Sequence, residues 1–100
     1  MNMQQMMIQA QKMQRELNKA MDELHNKEFT AKKAGLITVG VMGDKTISEI
    51  TIEPDAFNAE DKEMIEEMLI STINELIEQI NAEEEAINER ITGKSGGLGF

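Results

Sequence analysis

The chain is 100 residues long, with 40% apolar and 29% charged residues, a formal net charge of −9 and no cysteine. A chain of this size makes one domain that buries only about 60–65% of its unfolded surface, so association with a second copy is a common supplement. The missing cysteine excludes a disulfide framework and a thiolate metal site, and no apolar run approaches the ~20 residues needed to span a bilayer.

The opening Met-Asn-Met-Gln-Gln-Met-Met lacks the basic segment and small-residue cleavage site of a signal peptide. A cytoplasmic setting with no membrane contact is therefore expected. The charge is uneven along the chain. Residues 1–47 hold seven Lys/Arg against five Asp/Glu, and residues 48–100 hold three against fourteen. The first part is mildly basic and the second strongly acidic, an asymmetry that aims the field of the molecule whatever its total.

Residues 3–24 predict one helix with a narrow seam. Met3, Met6, Ala10, Met13, Leu17, Ala20 and Leu24 recur at alternating spacings of three and four, the a and d positions of three heptads. At 1.5 Å per residue this helix is about 32 Å long. The period then changes. Ile37, Val39 and Val41 alternate with Thr38 and Gly40, and Ile50 and Ile52 flank Thr51, as in strands with one buried face. Gly43-Asp44 between them predicts a hairpin turn in which the glycine takes a positive φ. A shorter first strand, Phe29 to Lys33, is expected to turn at Ala34-Gly35, and Pro54 to end the last strand because it lacks a backbone donor.

From about Glu60 to Ile91 the pattern predicts a second, longer helix, with Asn58 as its N-cap and Gly93-Lys94 as its stop. Its apolar stripe runs Ile65, Leu69, Ile73, Leu76, Ile80, Ile87 and Ile91, with Glu84 interrupting it. Met64, Met68, Ile70 and Ile77 widen it in the first half only. A wide stripe suits a sheet and a narrow one suits another helix. At about 46 Å the helix outruns the roughly 34 Å diameter of a compact chain this size. Its far end is expected to leave Ile80, Ile87 and Ile91 wet in a monomer, which calls for a partner chain. Residues 94–100 hold three more glycines and no period, so a single domain over 1–93 followed by a flexible tail is expected.

Helix, three strands, long acidic helix and glycine-rich tail, taken together, resemble the YbaB/EbfC family. Residues 6–14, Met-Met-Ile-Gln-Ala-Gln-Lys-Met-Gln, look like its opening helix. Residues 47–54, Ile-Ser-Glu-Ile-Thr-Ile-Glu-Pro, look like its third strand, and residues 61–67, Asp-Lys-Glu-Met-Ile-Glu-Glu, like the start of its second helix, with Asn74 fitting further along. The resemblance implies an α+β fold, helix–three-stranded antiparallel sheet–long helix, assembled as a homodimer with protruding helices that binds duplex DNA in the nucleoid.

Lys12, Arg15 and Lys19 share one helical face, off the seam. On its own such a face is a solvated one. With the family resemblance it becomes a candidate for phosphate contact, extended by Lys32, Lys33, Arg90 and Lys94. The expected dimer interface is the seam itself, Met3, Met6, Ala10, Met13 and Leu17, with Ile80, Ile87 and Ile91. A dimer would carry −18, so DNA binding must come from a local basic patch and be weak, salt-sensitive and poor in base readout. With no Trp or Tyr and three scattered Phe, a single-strand stacking platform is not expected.

The nine methionines fit seam and core packing better than a docking groove. His25, the sole histidine, suits the end of the first helix. No EF-hand, phosphate loop or nucleotide fingerprint appears, so no cofactor, metal, small-molecule substrate or catalysis is expected. The rival reading is a protein-interaction adaptor whose acidic half docks a basic partner in replication or recombination.

Overall fold

The computed structural model describes residues 2–93. Helix α1, Met3–His25, begins with a capping box: the Asn2 side chain accepts from the Gln5 backbone N–H at 2.8 Å, and the Gln5 side chain accepts from the Asn2 N–H. Two otherwise orphaned donors are thereby met. Strands β1 (Glu28–Lys33), β2 (Ile37–Met42) and β3 (Ile47–Ile52) form an antiparallel sheet in the order β1-β2-β3. A single 3-10 turn, Pro54–Ala56, leads to α2, Lys62–Thr92, which ends on Gly93 at φ 74°.

The core lies between the sheet and α2. Ile37, Val39 and Val41 on one face of β2 meet Ile65, Leu76 and Ile80 of α2, with Phe29 from β1 and Leu24 from α1 closing the ends. Each such side chain contributes about 1.5–3 kcal/mol by leaving water. α2 packs on β2 and β1 and leaves the inner face of β3 open. Beyond the sheet, α1 and the second half of α2 run alongside each other as a helical arm. The molecule is accordingly long, 68 × 23 × 15 Å, with a radius of gyration of 19.2 Å against about 13 Å for a compact chain of this size.

Three expectations are corrected. Ile80 is 0% exposed, and Ile87 and Ile91 are half-buried. The stripe of α2 is covered by the chain's own sheet and by α1, so Ile80 needs no partner chain. Helix α2 starts at Lys62, not Glu60, and Asn58 is not its N-cap. The Asn58 Oδ1 accepts from the Asp61 N–H at 2.8 Å, which closes a separate turn before the helix and leaves only Glu63 in its first acidic turn.

The third correction concerns Gly43. The β2–β3 turn is present, but the positive φ falls on Lys45 (71°). Gly43 instead permits a close approach of two backbones, since a Cβ there would stand 1.7 Å from the Leu24 carbonyl oxygen. The turn is seated directly on the last turn of α1, and the Gly43 N–H donates to the Lys27 carbonyl at 2.8 Å. At the other hairpin Ala34 and Gly35 both take positive φ, 54° and 67°, as primed turns require. The expected tail over 94–100, with Lys94, lies outside the described residues.

Candidate nucleic-acid interface

The arm is built by two amphipathic helices meeting along their seams. Leu24 is buried at its base, Leu17 and Ala20 are half-buried, and Ile87 and Ile91 face them from α2. Ile91 sits beside Gln9, Lys12, Met13 and Glu16. The first turns of α1 therefore run past the end of the described part of α2, and Met3 and Met6 are well exposed, Met3 at 77%. Of the expected interface set, Leu17, Ile87 and Ile91 are engaged within the chain. Met3, Met6, Ala10 and Met13 are exposed.

The cations sort into two groups by what their neighbours do. Near the sheet, Lys27 pairs with Glu83 at 3.1 Å, Lys33 with Glu75 at 3.1 Å and Lys45 with Glu84 at 3.8 Å. Lys62 pairs with Glu66 one turn on. Lys27 also lies over the Phe29 ring, 4.8 Å from its centroid. These ion pairs are exposed and contribute little stability each, but they fix where positive charge is already matched.

On the arm the situation is reversed. Among the described residues, none of Lys12, Arg15, Lys19 and Arg90 forms an ion pair. Lys19 and Arg90 flank one shallow groove with Glu16 and Glu23, and Lys12 flanks the next. Over residues 3–20 and 87–93 these four cations face two carboxylates, Glu16 and Glu89. The distal part of the arm is locally positive on a molecule of −9, while Asp22 and Glu23 lie nearer its base. Lys32 does not join it. It lies on the outer face of β1, opposite Thr38, while Lys33 points to the helix side and is held by Glu75. The structure thus brings together four of the expected DNA contacts and separates two.

Distance decides how much the acidic half matters. Glu60, Glu63, Glu66 and Glu67 stand at the start of α2. From Glu67 to Arg90 the helix rises about 35 Å, several times the ~8 Å screening length of physiological salt. Repulsion from that pole is therefore weak at the distal arm. Of the nearer cluster, Glu83 and Glu84 are already paired.

One carboxyl is perturbed. Asp44, in the β2–β3 turn, sits below the usual carboxylate range because the Thr46 hydroxyl donates to it, with the Thr46 backbone N–H adding to the effect. It belongs to the turn and not to the arm. His25 ends α1 as its basic last-turn residue. Among the described residues no group of three or more His, Cys, Asp or Glu is placed to hold a metal, and no helix is long and apolar enough to cross a membrane.

Sequence reasoning missed two features. The Asn2–Gln5 capping box carried a readable signal, the spacing of three. The pairing of α2 glutamates with the body lysines carried none, because those partners are 42 and 56 residues apart.

Comparison with known proteins agrees with this architecture. Residues 1–95 match the model of the YbaB/EbfC DNA-binding family. A nucleoid-associated protein of Lactococcus lactis subsp. cremoris (strain MG1363) is 38% identical over 102 residues, covering 100% of this chain and 99% of that one. One of Ruminiclostridium cellulolyticum is 37% identical over 98 residues, covering 97% and 85%. Among solved structures, an uncharacterised protein of Helicobacter pylori superposes with a TM-score of 0.77 at 19% identity, over 93% of this chain and 99% of that one, and so shares the fold. A basic helical arm, the three-stranded sheet and a whole-length family match together place the chain in the YbaB/EbfC DNA-binding family.

Proposed function

We propose that this chain works in the nucleoid as a non-enzymatic homodimer. It grips duplex DNA through phosphates along its distal arms, with little reading of base sequence, and contributes to nucleoid organisation or local gene regulation. One observation carries the reading: Lys12, Arg15, Lys19 and Arg90 are gathered on the arm without ion-pair partners among the described residues, while the lysines near the sheet are matched by α2 glutamates. Unpaired cations release counterions from DNA at no cost of breaking an internal pair. The sequence carries no base-recognition motif, so contacts of this kind position the protein without specifying sequence. Its nucleoid-associated relatives support the same location, and residues 1–93 act as one unit in this reading.

The test is fluorescence anisotropy of a labelled ~30 bp duplex at several salt concentrations. Affinity falls with salt, and each phosphate contact adds about 0.9 to the logarithmic slope. Replacing Lys12, Arg15 and Lys19 by Ala flattens the slope by up to about 2.7 per arm engaged without unfolding the protein, whereas Lys32→Ala leaves it nearly unchanged. An unaltered slope in the triple variant removes the arm assignment. No binding at low salt would instead favour the adaptor reading, with the acidic start of α2 docking a basic protein of replication or recombination.

A further inference from the structure

The seam that joins the two helices of the arm continues past the point where α2 stops. Ala20 and Leu24 of α1 meet Ile87 and Ile91 of α2, and Ile91 reaches the level of Gln9 and Met13. Two residues later α2 ends on Gly93, whose left-handed φ of 74° closes the helix. The same face of α1 goes on through Met13, Ala10, Met6 and Met3 at unchanged spacings of three and four. There it is bare. Met13 is 37% exposed, Met6 56% and Met3 77%, with Met7 beside them at 57%. From Met13 to Met3 about 15 Å of packing face projects beyond its partner helix, at 1.5 Å per residue.

We propose that residues 94–100 of the same chain complete this seam, with the Leu98 and Phe100 side chains seated on Met6 and Met3. The proposal concerns how the arm is built and does not depend on what the arm binds. Three observations select this segment as the occupant. The first is continuity. α2 runs antiparallel to α1 and ends at the inner edge of the bare face, so the residues after Gly93 start where coverage stops. The second is reach. Extended backbone advances about 3.3 Å per residue, which puts Leu98 within about 17 Å of Gly93 and Phe100 within about 23 Å. Met6 and Met3 stand about 11 and 15 Å beyond Met13 along α1, inside both limits.

The third is composition. Residues 94–100 read Lys-Ser-Gly-Gly-Leu-Gly-Phe. Their two large apolar side chains are two residues apart, so an extended backbone turns both to one side, and the glycines let that backbone lie close against the helix. Residues 2–11 carry no charged side chain, so covering them desolvates no ionised group. Methionine thioethers adapt to an irregular partner and favour the edge of an aromatic ring, which Phe100 supplies. The short tether holds the segment at an effective concentration on the order of millimolar, which a second copy or any other occupant must outcompete. Seating the segment also holds Lys94 near the level of Lys12, adding a cation to the distal arm.

Nuclear Overhauser spectra of the full wild-type chain test this. Cross-peaks from the Phe100 ring to the Met3 and Met6 methyls are expected in uniformly labelled protein. They are expected to vanish from the isotope-filtered spectrum of mixed-label protein, because the contact lies within one chain. Cross-peaks that survive the filter place the segment on another copy and overturn the assignment, and so does their absence from both spectra. Amide hydrogen exchange gives an independent reading. Replacing Leu98 and Phe100 together by Ser speeds exchange at residues 6–10 by about fivefold or more, as expected when a local packing contact is lost. Residues 20–25 stay within about twofold, because Leu24 in the core holds that end. Equal exchange at residues 6–10 in both proteins overturns the proposal. Protection of those residues that appears only on adding duplex DNA or anionic vesicles overturns it too, and gives the methionine face to that partner instead.

Discussion

Gly43→Ala tests the joint between α1 and the sheet. The added methyl would lie 1.7 Å from the Leu24 carbonyl oxygen and 2.6 Å from its carbon. Both obstacles are backbone, so no side-chain rotation relieves them. The end of α1 is pinned by Leu24 in the core, and the turn is pinned by the Gly43 N–H to the Lys27 carbonyl. One of the two must shift by more than about 1 Å to restore an ordinary contact. Overpacking of that kind costs about 1–3 kcal/mol, and the broken hydrogen bond adds about 1. The expected loss is about 2–4 kcal/mol, or roughly 10–30 °C in melting temperature for a chain this size. Urea unfolding at a fixed protomer concentration measures it, since association makes stability concentration-dependent. Gly35→Ala is the control. There the new methyl meets nothing within 4 Å and only the φ of 67° opposes it, at about 1–2 kcal/mol. A Gly43→Ala loss below about 1 kcal/mol, the floor of the overpacking range, would refute the reasoning, because the helix end and the turn would then be free to slide apart.

Three further outcomes are expected. Thr72 is buried and its hydroxyl has no partner among the described residues, so Thr72→Val gains about 1 kcal/mol in the same urea experiment; a loss would reveal a hidden partner. Ala34 takes φ 54°, and Ala34→Gly relieves left-handed strain of about 1–2 kcal/mol against an entropy cost of about 0.5–1, a small net gain in thermal stability. Thr46→Val removes the largest cause of the lowered Asp44 pKa, so the carboxyl titrates nearer its ordinary range in NMR. Because the folded pKa is lowered, Asp44 adds stability above its unfolded pKa and loses it as pH falls through the folded value. The Thr46 variant is correspondingly less acid-sensitive.

The elements were legible because each carries a strong period. Met3 to Leu24 repeats at three and four, Ile37 to Val41 at two, and the structure forms a helix and a strand there. Periodicity says that a face is covered and not by what, and this is why it misplaces Ile80. The stripe is real, but the chain's own sheet covers it. The same limit hides the open inner face of β3. Ile70 and Ile77 stand out as a widening of the stripe, yet nothing local shows that α2 sits off-centre and misses β3. Lys32 and Lys33 are indistinguishable as neighbours in sequence, and strand alternation sends them to opposite faces. Gly43 leaves no trace either, since a close approach to Leu24 is a contact between distant segments. Local chemistry misleads at Asn58, whose side chain closes a turn before the helix it was expected to cap.

The seating of α1 on the β2–β3 turn has a mechanical consequence. The arm that α1 makes with the second half of α2 runs about 35 Å outward from the Leu24–Gly43 contact, so the two helices together behave as a lever whose fulcrum is at that base. A tilt of about 5° there displaces Met3 by about 3 Å along an arc of that radius, with no change in the helix itself. Lys12, Arg15 and Lys19 lie at graded distances from the fulcrum, so the same tilt moves Lys12 farther than Lys19. In the proposed DNA-binding role, the position of the basic tip would then be set by the stiffness at the base of the arm rather than by the tip itself.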